Sequence, residues 1–130
     1  MGESVGIVLV VEDEGAIQVM AEEALTDAGF EPAVTASGEE ALTLLMGPMR
    51  DGYRALVTDI RLRGTIDGWE IGRRVREIDP EFPVVYISGV SAAEWPSKGV
   101  PNSIMLEKPF APAQLVTAVA QLVNKSTPIQ

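Results

Sequence analysis

The sequence predicts an α/β fold, doubly wound, with a five-stranded parallel sheet covered by helices on both faces. Three observations predict it. Short β-branched apolar runs recur along the chain. Stretches with helical periodicity separate them, and crossovers of that length imply right-handed connections between parallel strands. The 130 residues suit one domain, with 46% hydrophobic and 22% charged residues, an ordinary globular composition. No internal repeat, linker or low-complexity segment divides them.

The elements follow in order. Gly6 to Val11 is short and β-branched and reads as a buried strand. Glu14 to Ala28 carries Ile17, Met20, Ala21, Ala24, Leu25 and Ala28 at one-face helical spacing, with Gly29 at the exit. Pro32 to Thr35 is a second strand. Ser37 N-caps the next helix with Glu40 three residues on, a capping box, and Gly47-Pro48 stops it. Tyr53 to Thr58 is the third strand, ending at Asp59, and Arg61 to Thr65 is a loop. A helix over Asp67 to Ile78 stops before Pro80. Pro83 to Ile87 is the fourth strand. Ser91 to Glu94 starts a helix that Trp95-Pro96 truncates, so the fourth helix is expected to be short or mobile. Ser103 to Leu106 is the fifth strand, and Pro112 to Val123 the last helix. The domain is expected over residues 5–124, with 125–130 a frayed tail.

Composition removes several function classes. The formal charge of −9 argues against nucleic acid or an anionic membrane as partner. The chain has no cysteine, hence no disulfide, thiolate nucleophile or cysteine metal site, and this fits a cytoplasmic protein. It has no histidine, the commonest general base and transition-metal ligand. No apolar run reaches the ~20 residues of a membrane span. The first eleven residues carry Glu3 and no basic n-region, unlike a signal peptide. Residues 1–49 hold ten acids and no base, while residues 50–130 hold nine acids and ten bases, among them Arg61, Arg63, Arg73, Arg74 and Arg76. Solvated helix faces explain this distribution, as do an acidic and a basic face read by partners.

Parallel α/β sheets bind ligands beyond the carboxyl ends of their strands. Strand one ends in Glu12-Asp13-Glu14, strand three in Asp59, strand four in Ser88-Gly89 and strand five in Glu107-Lys108-Pro109. Taken singly, each of these reads as a helix cap, a turn residue or a solvated side chain. Together they converge on one rim, where three or four carboxylates repel one another unless a cation joins them. Oxygen ligands without His or Cys favour a hard ion, Mg²⁺ or Mn²⁺. Lysine and a hydroxyl beside such an ion suit attack by a carboxylate on a phosphoryl group.

In these residues the sequence resembles the receiver domain of bacterial two-component response regulators. The motifs are Val10-Val11-Glu12-Asp13-Glu14, Thr58-Asp59-Ile60, Val85-Tyr86-Ile87-Ser88-Gly89 and Leu106-Glu107-Lys108-Pro109-Phe110, within a likeness spanning about residues 5–124. The resemblance implies a flavodoxin-like (βα)5 fold with strand order 2-1-3-4-5. It implies Asp59 as phosphoacceptor, and Mg²⁺ held by Asp13 and Asp59 directly, by Glu12 through water, and by the Arg61 backbone carbonyl. It implies that Lys108 pairs with the phosphoryl group, that the Ser88 hydroxyl turns toward it on activation, and that Gly89 keeps its pocket open. The Lys108-Pro109 bond is cis in relatives, and Pro lowers the cost of cis.

Two departures stand out. The usual Met-Pro after the phosphoacceptor is replaced by Ile60-Arg61-Leu62-Arg63-Gly64-Thr65-Ile66-Asp67-Gly68, with an apparent extra residue, and Arg61 is expected to aim a cation near the site. The switch aromatic three residues before the lysine is Met105, so no ring rotation there reports phosphorylation; Tyr86 is expected in the core. The motif around Ser88 and the irregular fourth helix look like stand-alone receivers of alphaproteobacterial type.

The resemblance implies a sensor histidine kinase or histidine phosphotransfer protein as donor, docking beside the first helix, where Ala16 and Val19 lie off the core stripe and Glu22 and Glu23 surround them. The downstream target is an unknown protein. On the last helix Leu115, Val119 and Leu122 form the core stripe, while Val116, Ala120 and Val123 extend it as a contact face, for a monomer or weak dimer. The residues after 124 are too few for an output module. The expected function is a single-domain switch, phosphate shuttle or sink, not an enzyme acting on a separate substrate. The alternatives are an adaptor working without phosphorylation, a receiver fragment of a hybrid kinase, and an aspartate-nucleophile phosphohydrolase. The last usually carries a second Asp where Arg61 stands.

Overall fold

The computed structural model describes residues 6–126. Five strands, β1 (Ile7–Val11), β2 (Glu31–Thr35), β3 (Tyr53–Asp59), β4 (Val84–Ser88) and β5 (Ile104–Glu107), alternate with five helices, α1 (Gly15–Asp27), α2 (Gly38–Leu45), α3 (Gly68–Ile78), α4 (Trp95–Lys98) and α5 (Pro112–Ser126). All neighbouring strands are parallel, in the order β2-β1-β3-β4-β5, as expected. The continuous apolar runs of β1, β3 and β4 follow from this topology, because a central parallel strand is buried on both faces.

Alternate residues of each strand serve two cores. Leu9, Val11, Leu56, Val84 and Tyr86 pack with α2 and α3. Val8, Val10, Val57, Val85 and Ile87 pack with α1 and α5 through Ala21, Leu25, Leu115, Val119 and Leu122. Each Val, Leu or Ile side chain among them, fully buried, contributes about 1.5–3 kcal/mol. Tyr86 lies in the first core, as expected: its ring stacks tilted on Trp69 with centroids 4.8 Å apart, and its hydroxyl accepts a 3.2 Å hydrogen bond from Val100 N–H.

Caps set the helix ends. The Ser37 hydroxyl accepts from Glu40 N–H at 3.2 Å, the first half of the expected box, while the Glu40 carboxylate accepts at 3.3 Å from the N–H of Ala36, one residue before the cap, rather than from Ser37 itself. Asp67 caps α3 by accepting from Glu70 N–H at 2.9 Å. Glycine is required where α3 begins, since a Cβ on Gly68 would lie 2.2 Å from the Asp59 carbonyl oxygen. Gly68 N–H donates to the Ile60 carbonyl at 2.9 Å, so the helix start is drawn tightly against the end of β3.

Several boundaries differ from expectation. β3, β4 and β5 each run one residue further, so Asp59, Ser88 and Glu107 are the last residues of strands rather than the first of loops. Pro96 does not truncate a helix. It occupies the first turn of α4, where its missing N–H is harmless, after a 3-10 turn over Ala92–Glu94. The fourth helix is short, as expected, at four residues. A further 3-10 turn over Arg50–Gly52 precedes β3. Ala28 is the exposed C-cap of α1 and leaves the core stripe. Val123 is buried, not part of an outer face: α5 puts positions 115, 118, 119, 122 and 123 on one stripe at helical spacing. Val116 and Ala120 remain half-buried. Helix α5 continues to Ser126, so residues 125 and 126 are helical rather than tail, and residues 127–130 and Val5 lie outside the described residues.

Candidate functional site

The carboxyl ends of β1, β3, β4 and β5 bring the expected residues to one rim. Glu12 and Asp13 follow β1, and Asp59 ends β3, with one carboxylate oxygen of each within 4.8 Å of the others. Glu12 is fully buried, Asp59 nearly so, and Asp13 half-buried. Lys108, just past β5, lies between them. Its Nζ is 3.2 Å from Asp59 Oδ2, 3.3 Å from Glu12 Oε1 and 3.9 Å from the exposed Glu14. The Lys108-Pro109 peptide is cis.

Backbone groups hold the acids in place. Ile60 N–H donates to Asp59 Oδ1 at 2.8 Å, leaving Oδ2 toward Lys108. Glu14 N–H donates to Glu12 Oε2 at 3.0 Å, and the Gln18 side chain bonds the Glu12 carbonyl. Glu12 Oε1 is buried and has no hydrogen bond; its one neighbour is the ion-pair contact with Lys108.

The electrostatics are unbalanced. Burial pushes the Asp59 carboxyl above its ordinary range, further than Lys108 and the Ile60 N–H pull it down, and Asp13 adds to the rise. Burial likewise raises Glu12, against the lowering effect of Glu14 N–H, and Asp59 raises it further. Burial would lower Lys108, but Asp59 and Glu12 outweigh it and hold the ammonium above its usual value. The site therefore resists carrying its own negative charge. Three carboxylates, one of them with a buried oxygen that accepts no hydrogen bond, and no nitrogen or sulfur ligand form a donor set that fits a hard divalent cation.

Ser88, at the end of β4, is buried, and its hydroxyl accepts from Val90 N–H at 3.2 Å and Ser91 N–H at 2.7 Å. In this arrangement it caps the following turn. Gly89 is exposed, and a Cβ there would meet only Lys108 Cβ, at 4.0 Å, so a small residue leaves the rim open. Met105 is half-buried and packs with Trp95 against the first core. Ala16 is exposed and Val19 is 54% exposed on α1, off the core stripe.

One expectation is corrected. Arg61 is exposed, and among the described residues its side chain pairs with no site carboxylate. The cation that reaches the rim from this loop is Arg63, with Nε 3.7 Å from Asp13 Oδ2. Arg63 is held there by the bridge of its backbone with Ser37, a pairing of segments far apart in the sequence. The arginine cluster also divides: Arg74 pairs with Glu70 at 3.3 Å and Arg76 bonds backbone carbonyls, so only part of it is free for partners.

Residues 8–120 match the response regulator receiver domain family. Among solved structures, a response regulator receiver protein from Sinorhizobium medicae is 48% identical, with a TM-score of 0.89 over 94% of this chain and 96% of that one. The receiver domain of the sensor histidine kinase PA1611 from Pseudomonas aeruginosa, solved with magnesium in its active-site cleft, shares the fold at a TM-score of 0.77 and 24% identity, over 92% of this chain and 98% of that one. Among curated proteins, the receiver protein CpdR of Brucella abortus is 29% identical over 89% of this chain and 95% of its own length. Other relatives are longer: the chain spans 33% of AfsQ1 from Streptomyces coelicolor, which is 39% identical over 62% of this chain, and 23% of an NtrX-like regulator from Rickettsia conorii, 35% identical over 84% of this chain.

Proposed function

The chain belongs to the response regulator receiver domain family of two-component signalling, and from that premise we propose that Asp59 accepts a phosphoryl group from a phosphohistidine on a partner protein in a Mg²⁺-dependent reaction. The observation that carries this is the Asp59 carboxylate. It is nearly buried, its Oδ1 is fixed by Ile60 N–H, its Oδ2 faces Lys108, and it is more basic than an ordinary aspartate.

The step balances on the residues present. An Asp59 oxygen forms the new O–P bond as the N–P bond of the donor breaks, and the electron pair stays on the donor imidazole, which takes a proton from solvent. Lys108 offers positive charge to the phosphoryl oxygens beside Asp59. Ser88 holds a hydroxyl at the same rim, released from Val90 and Ser91 when it turns inward. Asp13, Asp59, Glu12 and the Arg61 carbonyl would hold the cation, which supplies charge compensation for the carboxylates and the phosphoryl group.

Ala16 and Val19, with Glu22 and Glu23 around them, form the donor's docking surface on α1, and output is by protein contact or by passing the phosphoryl group on. Similarity to the response regulator receiver protein CpdR over nearly the whole of that protein supports the receiver role. The chain turns over no separate substrate and acts in the cytoplasm. Intact-mass measurement after incubation with phosphoramidate tests the reading. A gain of one phosphoryl group with Mg²⁺, absent without Mg²⁺ and absent in Asp59→Ala, is expected. No gain from phosphoramidate, acetyl phosphate or a phosphohistidine protein would overturn it in favour of an adaptor.

A further inference from the structure

Two cations divide the three carboxylates of the rim. Lys108 is shared by Glu12 and Asp59 and makes no ion pair with Asp13. Among the described residues the one ion-pair partner of Asp13 is Arg63, 3.7 Å away, with side chains 86% and 23% exposed respectively. An arginine so exposed has many other places to be, and an isolated surface pair holds it weakly.

Its backbone, however, is fixed. Arg63 forms a parallel bridge with Ser37, the cap of α2. Two residues on, Thr65 N–H and Oγ1–H donate to Glu39 Oε2 at 3.0 and 3.1 Å. Between them Gly64 is left-handed at φ 93°, and a Cβ there would lie 2.7 Å from Glu39 Oε1. The amino end of α2 thus grips the loop at Arg63 and just after it, while the Arg63 side chain stays exposed.

We propose that Arg63 is a displaceable counter-ion for Asp13 that sets the affinity of the rim for divalent cations. This rests on the reading of Asp13 as a metal ligand. Without a cation, the guanidinium offsets part of the charge that Lys108 leaves uncompensated. A divalent ion takes the same carboxylate and forces Arg63 out into solvent, so binding is weaker than the acidic cluster alone would give. Arg63 is a positioning residue for Asp13 rather than a group that touches the reacting atoms.

Isothermal titration of MgCl₂ into the whole chain, at neutral pH and constant ionic strength, tests this with Arg63→Gln, Arg63→Lys and Arg73→Gln. Arg73 is exposed on α3 and gives the same change in net charge. Arg63→Gln is expected to tighten Mg²⁺ binding roughly three- to tenfold, as expected for loss of an exposed pair together with a like charge facing the incoming cation. Arg63→Lys should fall between it and the parent, and Arg73→Gln should match the parent. Equal affinity for Arg63→Gln and the parent overturns the proposal and leaves the metal site standing. Equal gains in Arg63→Gln and Arg73→Gln also overturn it, as an effect of net charge. If no form binds Mg²⁺, the site reading itself fails and takes the proposal with it.

Discussion

The two rims of the sheet both carry ionic groups drawn partly out of water, and they treat them oppositely. At the amino-end rim Arg76 of α3 donates to the Phe82 carbonyl at 2.6 Å, to Pro101 at 2.6 Å and to Asn102 at 3.4 Å. One side chain ties a helix to the segments leading into β4 and β5, and every bond is charge-assisted. At the carboxyl-end rim the acids crowd one another, Glu12 Oε1 lacks a hydrogen bond, and burial makes Asp59 and Glu12 reluctant to ionise. A satisfied charge is scaffold. A charge left short of partners by its own fold marks where a ligand acts.

The largest effect should come from breaking the satisfied rim. Arg76→Ala is expected to lose about 2–3 kcal/mol, since hydrogen bonds from charged groups are worth about 1.5–3 kcal/mol, and the melting temperature should fall by about 10 °C. Mg²⁺ affinity should stay unchanged in the same variant; a drop in affinity without a drop in melting temperature would erase the distinction between the rims. Substitution at the other rim should act with opposite sign. Asp59→Asn removes a charge that its surroundings disfavour, so calorimetry at neutral pH without Mg²⁺ should show the melting temperature rising by about 3–6 °C, although phosphorylation is lost.

The pH dependence sharpens the contrast. Folded-state values above the unfolded ones mean that the native chain binds more protons, so stability rises as pH falls from neutrality through the folded values toward about 4. With no histidine in the chain, the upper part of that interval, above the ordinary carboxylate range, holds no other side chain of ordinary pKa. Melting temperatures should climb without Mg²⁺ as pH is lowered from neutrality toward the ordinary carboxylate range, and flatten with it. The smallest effect is expected at Glu39, which is exposed and whose carboxyl Thr65 N–H holds below its usual range. Its contribution is present above the unfolded value and is lost only as pH falls through the lower folded one. Glu39→Gln should therefore shift the neutral-pH melting temperature by no more than about 1 °C.

Much of this was legible before the structure. Central parallel strands must be apolar on both faces, so Val8 to Val11 and Val84 to Ile87 announce themselves, and whatever polar residue ends such a run is at the rim by topology. That reasoning places Glu12, Asp13, Asp59, Ser88 and Lys108 together, and the structure agrees. Arg63 was not legible, because its reach depends on the Ser37 bridge and the Glu39–Thr65 bonds, which join segments far apart in sequence. Val123 was misread because a two-turn apolar stripe is wider than three positions. Pro96 was misread because proline breaks a helix interior and starts a helix equally well.

The most direct test of the central claim is the melting temperature of the parent chain at neutral pH, with and without saturating Mg²⁺, beside Asp13→Asn. A rim built short of positive charge predicts a clear rise with Mg²⁺ in the parent and little or none in Asp13→Asn. Equal melting temperatures in the parent with and without the cation would contradict the account.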